Sequence, residues 1–275
     1  NPVFGPGFLM NDNDAADLRR SVREALAEDV GQGDLTAALI PHDSEAKASI
    51  IVRERAILCG TAWAEECFRQ LDEAIDLSWH SADGSVCEPD TVVCSLSGNA
   101  RSLLTGERTA LNFLGRLSGI ATTTRRFVKA VSGTGTQILD TRKTTPGWRL
   151  LEKAAVLSGG GRNHRVGLHD MVLVKDNHIA AAGSLRAAVD GVRRSNRDGL
   201  PVEVEVASLA ELEEALSLGV QRILLDNMRL ETMREAVSKA KAAGKAMGLS
   251  PTGARVPGRA HSIAVNSPAP RISPA

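Results

Sequence analysis

The chain has 275 residues, of which 33 are basic and 33 acidic, so its formal net charge is zero. A general nucleic-acid-binding protein usually carries a basic excess, and single-strand binders need aromatic side chains, which are only 3% here. These properties exclude nucleic acid as the expected partner. No apolar run reaches the length of a membrane span, so we expect no membrane partner and a location in the soluble cytoplasm.

Hydrophobic residues make up 43% of the chain, which is enough for a substantial core at this length. The four cysteines form no CxxC pair and no Cys/His spacing typical of a zinc site. We interpret them as buried thiols of a reducing compartment.

The N-terminal part of the chain predicts a small α+β domain. Residues 1–17 are an irregular extension and the start of a helix, whose apolar face continues to Leu26 and stops before Gly31. Short strands are expected at 48–52, 56–59, 75–80 and 91–97, with a second helix beginning at Thr61. A long helical stretch follows from Arg101, with a break expected at Gly119. We place this domain over residues 18–118.

After Gly135, strands alternate with helices, which predicts right-handed βαβ units and a parallel sheet. The expected strands are 137–140, 171–175, 202–206 and 222–226, and the expected helices lie near 148–157, 185–193, 210–216 and 230–241. The fold class is therefore α/β, with an incomplete barrel over residues 119–246.

Residues 247–275 form an aberrant Pro-rich tail. Five of the eleven prolines lie after Ser250, and no acidic residue follows Glu235. Such a composition does not favour a helix or a central strand. We expect residues from about Gly248 onward to be disordered or irregular, the sheet edge to stay unpaired, and the chain to be poorly stable.

Charged residues follow the predicted parallel strands, where the βα loops of α/β folds build their sites. Thr141, Arg142 and Lys143 follow the first strand, and their hydroxyl, forked guanidinium and point charge suit an anion. A solvated basic turn is the alternative. The glycine run 159–161 would let the backbone approach a ligand, with His164 projecting beside it, or would serve as a flexible turn.

Two further positions indicate the same site. Arg165 follows His164 in the glycine-rich loop, and Lys175 ends the second strand, where a lysine facing a barrel needs an anionic partner. We interpret His178 as a helix cap or a satisfied polar residue.

Carboxylates mark the third and fourth strands. Alternation places Glu203 and Glu205 on one face of a strand that should be covered on both, so they require cations, a metal or ligand hydroxyls. An exposed edge strand is the alternative. Asp226 ends the fourth strand, where a carboxylate indicates catalysis or ligand binding, or caps the next helix. The cations and carboxylates together predict a site for a small polyanion with a polyol or magnesium, such as a sugar phosphate meeting a carboxylic acid.

These motifs together resemble the quinolinate phosphoribosyltransferases, over roughly residues 18–240. The segments that carry the resemblance are Glu-Asp-Val-Gly-Gln-Gly-Asp-Leu-Thr at 28–36, Gly-Glu-Arg-Thr-Ala-Leu-Asn at 106–112, Thr-Arg-Lys-Thr at 141–144, Gly-Gly-Gly-Arg-Asn-His-Arg at 159–165, Lys-Asp-Asn-His at 175–178, Glu-Val-Glu at 203–205 and Leu-Leu-Asp-Asn at 224–227. The resemblance implies an N-terminal α+β sandwich followed by an irregular α/β barrel.

The activity that this resemblance implies is carboxylating nicotinate-nucleotide pyrophosphorylase, a step of de novo NAD biosynthesis. Quinolinate and phosphoribosyl pyrophosphate would give nicotinate mononucleotide, pyrophosphate and carbon dioxide, with Mg²⁺ as the cofactor. The resemblance also implies a homodimer in which Arg108 enters the neighbour's site.

The resemblance assigns roles to individual residues. Those expected to hold the quinolinate carboxylates are Arg108, Arg142, His164, Arg165 and Lys175, and Thr141 belongs to the same substrate-binding set. Lys143 would contact phosphoribosyl pyrophosphate, and Glu205 and Asp226 would bind ribose hydroxyls or magnesium. The expected catalytic residues are Glu205, Asp226 and Lys143.

The tail departs from the family pattern. The family continues into a strand ending in a Glu-x-Ser-Gly-Gly type loop and later into a Gly-Ala loop, which together hold the 5′-phosphate. The residues from Met247 onward match neither loop. A frameshift near residue 246, a truncation and an inactive paralogue all stay open. The alternative functions are a quinolinate-binding remnant and a phosphoribosyltransferase for another aromatic acid.

Overall fold

The computed structural model describes residues 3–4, 8–9, 12–244, 246–249 and 271–274. The described residues form two compact units, the first from those up to residue 164 together with 271–274 and the second from those between 165 and 249. In chain order the elements are β1 (Val3–Phe4), β2 (Phe8–Leu9), α1 (Asp12–Val30), a 3-10 helix (Ala37–Leu39), β3 (Glu45–Ile51), β4 (Ala56–Ile57), α2 (Thr61–Leu71), β5 (Asp76–Trp79), β6 (Val86–Cys87), β7 (Val92–Asn99), α3 (Ala100–Ala130), α4 (Arg149–Ser158), β8 (Val172–Val174), α5 (Asp176–Ala182), α6 (Leu185–Ser195), β9 (Val202–Val206), α7 (Leu209–Ser217), β10 (Arg222–Leu225), α8 (Leu230–Ala242), β11 (Ala246–Leu249) and β12 (Arg271–Pro274).

The first unit packs helices on an antiparallel sheet. Its four strands lie in the order β12-β3-β7-β5, and β1-β2 and β4-β6 form two short antiparallel pairs. The apolar faces of α1, α2 and α3 enclose a core that includes Phe68, Leu114, Ile50 and Leu96, all of them buried. This unit confirms the predicted α+β sandwich.

Helix α3 is one continuous helix, so the break predicted at Gly119 is wrong. Gly119 is buried in the helix, between the buried residues Leu117 and Ala121. A helical glycine costs about 1 kcal/mol relative to alanine, and burial of the apolar residues on both sides offsets that cost. The predicted domain boundary between residues 118 and 119 falls inside this helix and stays a prediction.

The first predicted parallel strand, 137–140, is only an isolated bridge. Leu139 pairs with Arg162 in the parallel sense, and the Asp140 N–H donates to the Arg162 carbonyl at 3.1 Å. The bridge brings the residues that precede the basic loop beside the residues that follow the glycine run.

The second unit is built on a parallel sheet in the order β11-β10-β9-β8, with helices between successive strands. Its core includes Val204, Ile223, Leu225 and Leu212, each almost completely buried. This alternation confirms the barrel-like α/β class. Helix α5 was not predicted, because its seven residues are too few to show an apolar period.

Ser208 and Glu211, which have the spacing of a capping box, hold the start of α7 in a modified form. The Ser208 hydroxyl accepts a hydrogen bond from the Glu211 N–H at 3.2 Å, as in a capping box. The Glu211 carboxylate instead accepts from the N–H of Ala207, at 2.8 Å. The serine therefore caps the helix, while the glutamate secures the residue before the cap.

The prediction for the tail is wrong at two places. Gly248 and Leu249 belong to β11, which pairs in parallel with β10, and β12 pairs antiparallel with β3 through Ile272 and Ile50. The proline-rich composition did not prevent pairing because Pro274 lies on a strand at the sheet edge, where a missing N–H is tolerated. The rest of the predicted irregular segment, 250–270 and 275, lies outside the described residues.

Among the described residues, the helices lack the combination of length and apolarity needed to cross a membrane.

Candidate active site

In the first unit, the predicted basic loop follows the 139–162 bridge. The Thr141 hydroxyl accepts from the Lys143 N–H at 3.1 Å, and both side chains are exposed to solvent. Arg142 is partly buried, and its Nε has no hydrogen-bond partner among the described residues. A buried N–H without a partner destabilises the fold, and a bound anion would remove that cost.

A buried ion pair that was missed by the sequence analysis lies directly before this loop. Lys153 of α4 donates to Asp140, and their side chains are only 1% and 6% exposed. The Asp140 carboxylate also accepts from the His164 N–H at 2.8 Å, while the Lys153 ammonium donates to the His164 carbonyl at 3.1 Å. The pair therefore holds both backbone polar groups of His164, a predicted site residue.

Asn163 completes this cluster. With its amide nitrogen turned toward the pair, it donates to Asp140 Oδ2 at 2.7 Å and to the Lys153 carbonyl at 3.1 Å. Burial raises the pKa of Asp140, and the hydrogen bond from Lys153 opposes this rise. The charged lysine and the surrounding donors are thus what allow a carboxylate at this depth.

The glycine run packs closely against helices of the protein itself, while its predicted approach to a ligand stays a prediction. A Cβ on Gly159 would lie 2.5 Å from the Ala121 carbonyl oxygen, and one on Gly161 would lie 2.7 Å from Val156 Cγ1. Arg125 of α3 also donates to the Gly159 carbonyl at 2.8 Å. The glycines allow the loop to pack closely on α3 and α4.

Arg108 is exposed on α3, within a short polar junction. One turn before it, Thr105 donates to Asp34 at 2.9 Å, and next to it Thr109 donates to Asp29 at 3.4 Å. These two bonds join the motif at 28–36 to residues 105–109 of α3.

In the second unit, Lys175 and Glu205 form an ion pair. Lys175 Nζ donates to Glu205 Oε2 at 2.8 Å, and the side chains are 40% and 14% exposed. Glu203 is buried and lies 3.7 Å from the guanidinium of Arg222. Because β9 lies between β8 and β10, the edge-strand alternative for the glutamates is wrong.

Asp226 directly follows β10. Its N–H donates to the Val206 carbonyl at 2.9 Å, and its carboxylate accepts from the Asn227 amide at 3.0 Å. Leu224 of β10 lies opposite Glu205 of β9. Because side chains alternate between the two faces along a strand, Asp226, two residues after Leu224, lies on the same face of the sheet as Glu205. The alternative role as the cap of α8 is wrong, because Arg229 occupies the N-cap position.

The two other predicted residues of this unit take local roles. Arg165 is partly buried and donates to the Met171 carbonyl at 3.4 Å. His178 Nδ1 accepts from the Lys175 N–H at 3.0 Å at the start of α5, which confirms the predicted helix cap. His178 thereby orients the backbone of Lys175.

The described residues contain no group of three or more His, Cys, Asp or Glu side chains that could hold a metal ion. Mg²⁺ is often bound by one or two carboxylates together with substrate phosphates. Glu205 and Asp226, on one face of neighbouring strands, fit that smaller donor set.

Comparison with known proteins identifies the family. The model of the quinolinate phosphoribosyl transferase N-terminal domain matches residues 34–118, and that of the C-terminal domain matches residues 120–256. A probable nicotinate-nucleotide pyrophosphorylase (carboxylating) of Synechocystis is 41% identical over 84% of this chain and 79% of its own length. Its counterpart in Bacillus subtilis is 42% identical over 79% of this chain and 75% of its own length.

A solved structure gives the same result. The nicotinate-nucleotide pyrophosphorylase of Francisella tularensis is 44% identical and superposes with a TM-score of 0.82, over 86% of this chain and 83% of its own. The chain therefore belongs to the quinolinate phosphoribosyltransferase family.

Proposed function

We propose that this protein transfers the phosphoribosyl group of phosphoribosyl pyrophosphate to quinolinate and decarboxylates the product, which gives nicotinate mononucleotide, pyrophosphate and carbon dioxide. The observation that carries the proposal is the match of both family domains, in order, across residues 34–118 and 120–256. The relatives named above carry the names of enzymes of this reaction.

Quinolinate is a dianion, and we assign its two carboxylates to the predicted cations. These are Arg108, Arg142, His164, Arg165 and Lys175, the residues that the family resemblance assigns to this role. The buried Nε of Arg142 supports the assignment, because an anion would supply the partner that the described residues lack. A forked guanidinium also binds a carboxylate through two parallel hydrogen bonds.

We assign phosphoribosyl pyrophosphate to Lys143, Glu205 and Asp226. Lys143 is exposed on the basic loop and provides a mobile positive charge for a phosphate. Glu205 and Asp226 would accept hydrogen bonds from ribose hydroxyls and stabilise positive charge that develops at the anomeric carbon. When bound beside these carboxylates, Mg²⁺ would neutralise the pyrophosphate leaving group.

Decarboxylation follows from the chemistry of the transferred product. The ring nitrogen attacks the anomeric carbon, pyrophosphate leaves, and the nitrogen becomes positively charged. When the adjacent carboxylate leaves as carbon dioxide, its bonding electron pair stays on the ring carbon next to the charged nitrogen. This carbon then takes up a proton in place of the lost carboxylate. No organic cofactor is required.

The homodimer and the cytoplasmic location are also part of this proposal. Arg108 would enter the neighbour's site, and the exposed side chains of Leu35, Leu39 and Leu104, in the same unit as Arg108, would provide apolar surface for a partner copy. The four cysteines are buried and free, as expected in a reducing compartment.

The test is product formation by the purified full chain with quinolinate, phosphoribosyl pyrophosphate and Mg²⁺. We expect nicotinate mononucleotide together with an equal amount of carbon dioxide from quinolinate labelled in its 2-carboxyl group. Nicotinate in place of quinolinate is the matched control. Turnover of nicotinate without turnover of quinolinate would overturn the proposal in favour of a transferase for another aromatic acid.

A second candidate function is quinolinate binding without turnover. It is favoured by one observation: the residues from Met247 onward match neither family loop that holds the 5′-phosphate. Calorimetry separates the two candidates, because the remnant would bind quinolinate, bind phosphoribosyl pyrophosphate weakly and form no product.

A further inference from the structure

Helix α4 holds the start of the basic loop through its one buried lysine. Lys153 is 1% exposed and pairs with Asp140, the residue immediately before Thr141. A buried ion pair is weak evidence for stability, because apolar side chains of similar volume often serve as well. An apolar pair, however, could not satisfy both the N–H and the carbonyl of His164, as Asp140 and Lys153 do.

The same helix also holds the middle and the end of the loop. Glu152, the neighbour of Lys153, accepts from the Thr145 hydroxyl at 2.8 Å and from Arg116 at 2.8 Å. Arg149 donates to the Thr144 hydroxyl at 3.2 Å and to the Arg142 carbonyl at 3.4 Å. Helix α4 thus anchors the loop that carries Arg142 and Lys143 at residues 140, 142, 144 and 145.

We propose that Lys153 and Asp140 are positioning residues for the reaction: their buried pair fixes the Arg142–Lys143 loop and His164 in the one arrangement that binds the anionic substrates. Neither side chain contacts substrate. The inference rests on the proposed function, which assigns substrate binding to Arg142, Lys143 and His164.

The expected loss of activity in a Lys153 variant follows from how strongly catalysis depends on the position of the substrate-binding groups. A displacement of about 1 Å in a group that positions the substrate can lower kcat/KM about 100-fold. We therefore expect Lys153→Met to lower kcat/KM for quinolinate about 100-fold, mainly through KM. The loop should lose order at the same time.

The experiment compares Lys153→Met, the double variant Lys153→Met with Asp140→Asn, and the control Lys47→Met, which changes an exposed lysine of β3. The double variant removes both buried charges, so it remains testable if the single variant fails to fold. For each protein we would measure KM and kcat, the melting temperature, and hydrogen exchange of the backbone over residues 141–145 without substrate.

We expect Lys153→Met to lower the melting temperature and the double variant to restore it. The double variant should nevertheless keep a raised KM and faster exchange over residues 141–145. A double variant with the KM and exchange of the unaltered protein would overturn the inference and leave the pair a purely structural role. If the unaltered protein has no turnover, the proposed function fails. The exchange of residues 141–145 then decides the positioning role alone: unchanged exchange in both variants would refute it.

Discussion

Lys175 Nζ donates to Glu205 Oε2 at 2.8 Å, so a cation assigned to quinolinate neutralises a carboxylate assigned to the ribose and magnesium. The two side chains are 40% and 14% exposed, so an incoming ligand can reach both. Quinolinate must therefore either bind Lys175 together with Glu205 or displace Glu205 from Lys175. This competition makes the energetics of the two residues interdependent.

We expect Lys175→Ala to weaken quinolinate binding by about 2–5 kcal/mol, the range for removing one member of a charged pair that is buried in the complex. Arg142→Ala should fall in the same range, because it also removes a charge aimed at the dianion. Calorimetry of quinolinate binding measures both effects. Lys241→Ala, at an exposed position on α8, is the matched control. If both site variants bind quinolinate as tightly as the control does, the carboxylate assignment is wrong.

Substitution of the carboxylates should separate binding from transfer. Glu205→Ala releases Lys175 from its ion pair, so quinolinate should bind at least as tightly as before, while phosphoribosyl transfer is abolished. Asp226→Ala should abolish transfer without tightening quinolinate binding, since it leaves Lys175 paired with Glu205. Calorimetry combined with single-turnover kinetics measures the two steps. Turnover at the original rate in either variant would reassign that carboxylate to fold stability.

Asp34 should contribute to stability in a pH-dependent way. The Ala37 N–H and then the Thr105 hydroxyl hold the pKa of Asp34 below its ordinary value of 3.8. A carboxyl whose pKa is lower in the folded state stabilises that state above the unfolded pKa, and this stability is lost as the pH falls through the folded pKa.

Urea unfolding between about pH 5 and pH 2 tests this sign. The unaltered protein should lose more stability on acidification than Asp34→Asn, which cannot ionise. Asp43→Asn, a change at an exposed carboxylate of the same unit, should leave the pH dependence unaltered. Parallel pH profiles for Asp34→Asn and the unaltered protein would contradict the prediction.

Sequence patterns were sufficient to predict an element where polar or apolar residues repeat with the period of a strand or a helix. The alternation of Glu203 and Glu205 with valines predicted one polar face of β9, and the structure places Glu203 beside Arg222 and Glu205 beside Lys175. The apolar face of α1 predicted a helix that stops before Gly31, and it ends at Val30.

The pattern failed where a contact joins distant segments. Lys153 follows a glutamate in a helix and looks like a solvated charge, and only the approach of Asp140 and His164 explains its burial. The glycine run resembled a ligand loop because its neighbours Ala121 and Thr124 lie far away in the chain. The only local signal in the sequence was a run of three glycines after the end of a helix. Such a run is compatible with a ligand-binding loop, with a flexible turn and with close packing on a helix.

The last prediction concerns Arg108 and the proposed dimer. If Arg108 acts in the neighbour's site, then Arg108→Ala and Lys143→Ala inactivate a shared site from opposite subunits. A heterodimer of the two variants has one site that lacks both residues and one that is intact. Co-expressed with different tags and purified as heterodimers, the pair should recover about half of the original activity, because one of two symmetric sites is restored. The matched control is a heterodimer of Arg142→Ala with Lys143→Ala, in which each subunit carries one substitution on the same loop of its own site. Each of its sites lacks one residue, so it should recover nothing. Equal activity of the two heterodimers would show that Arg108 acts within its own subunit.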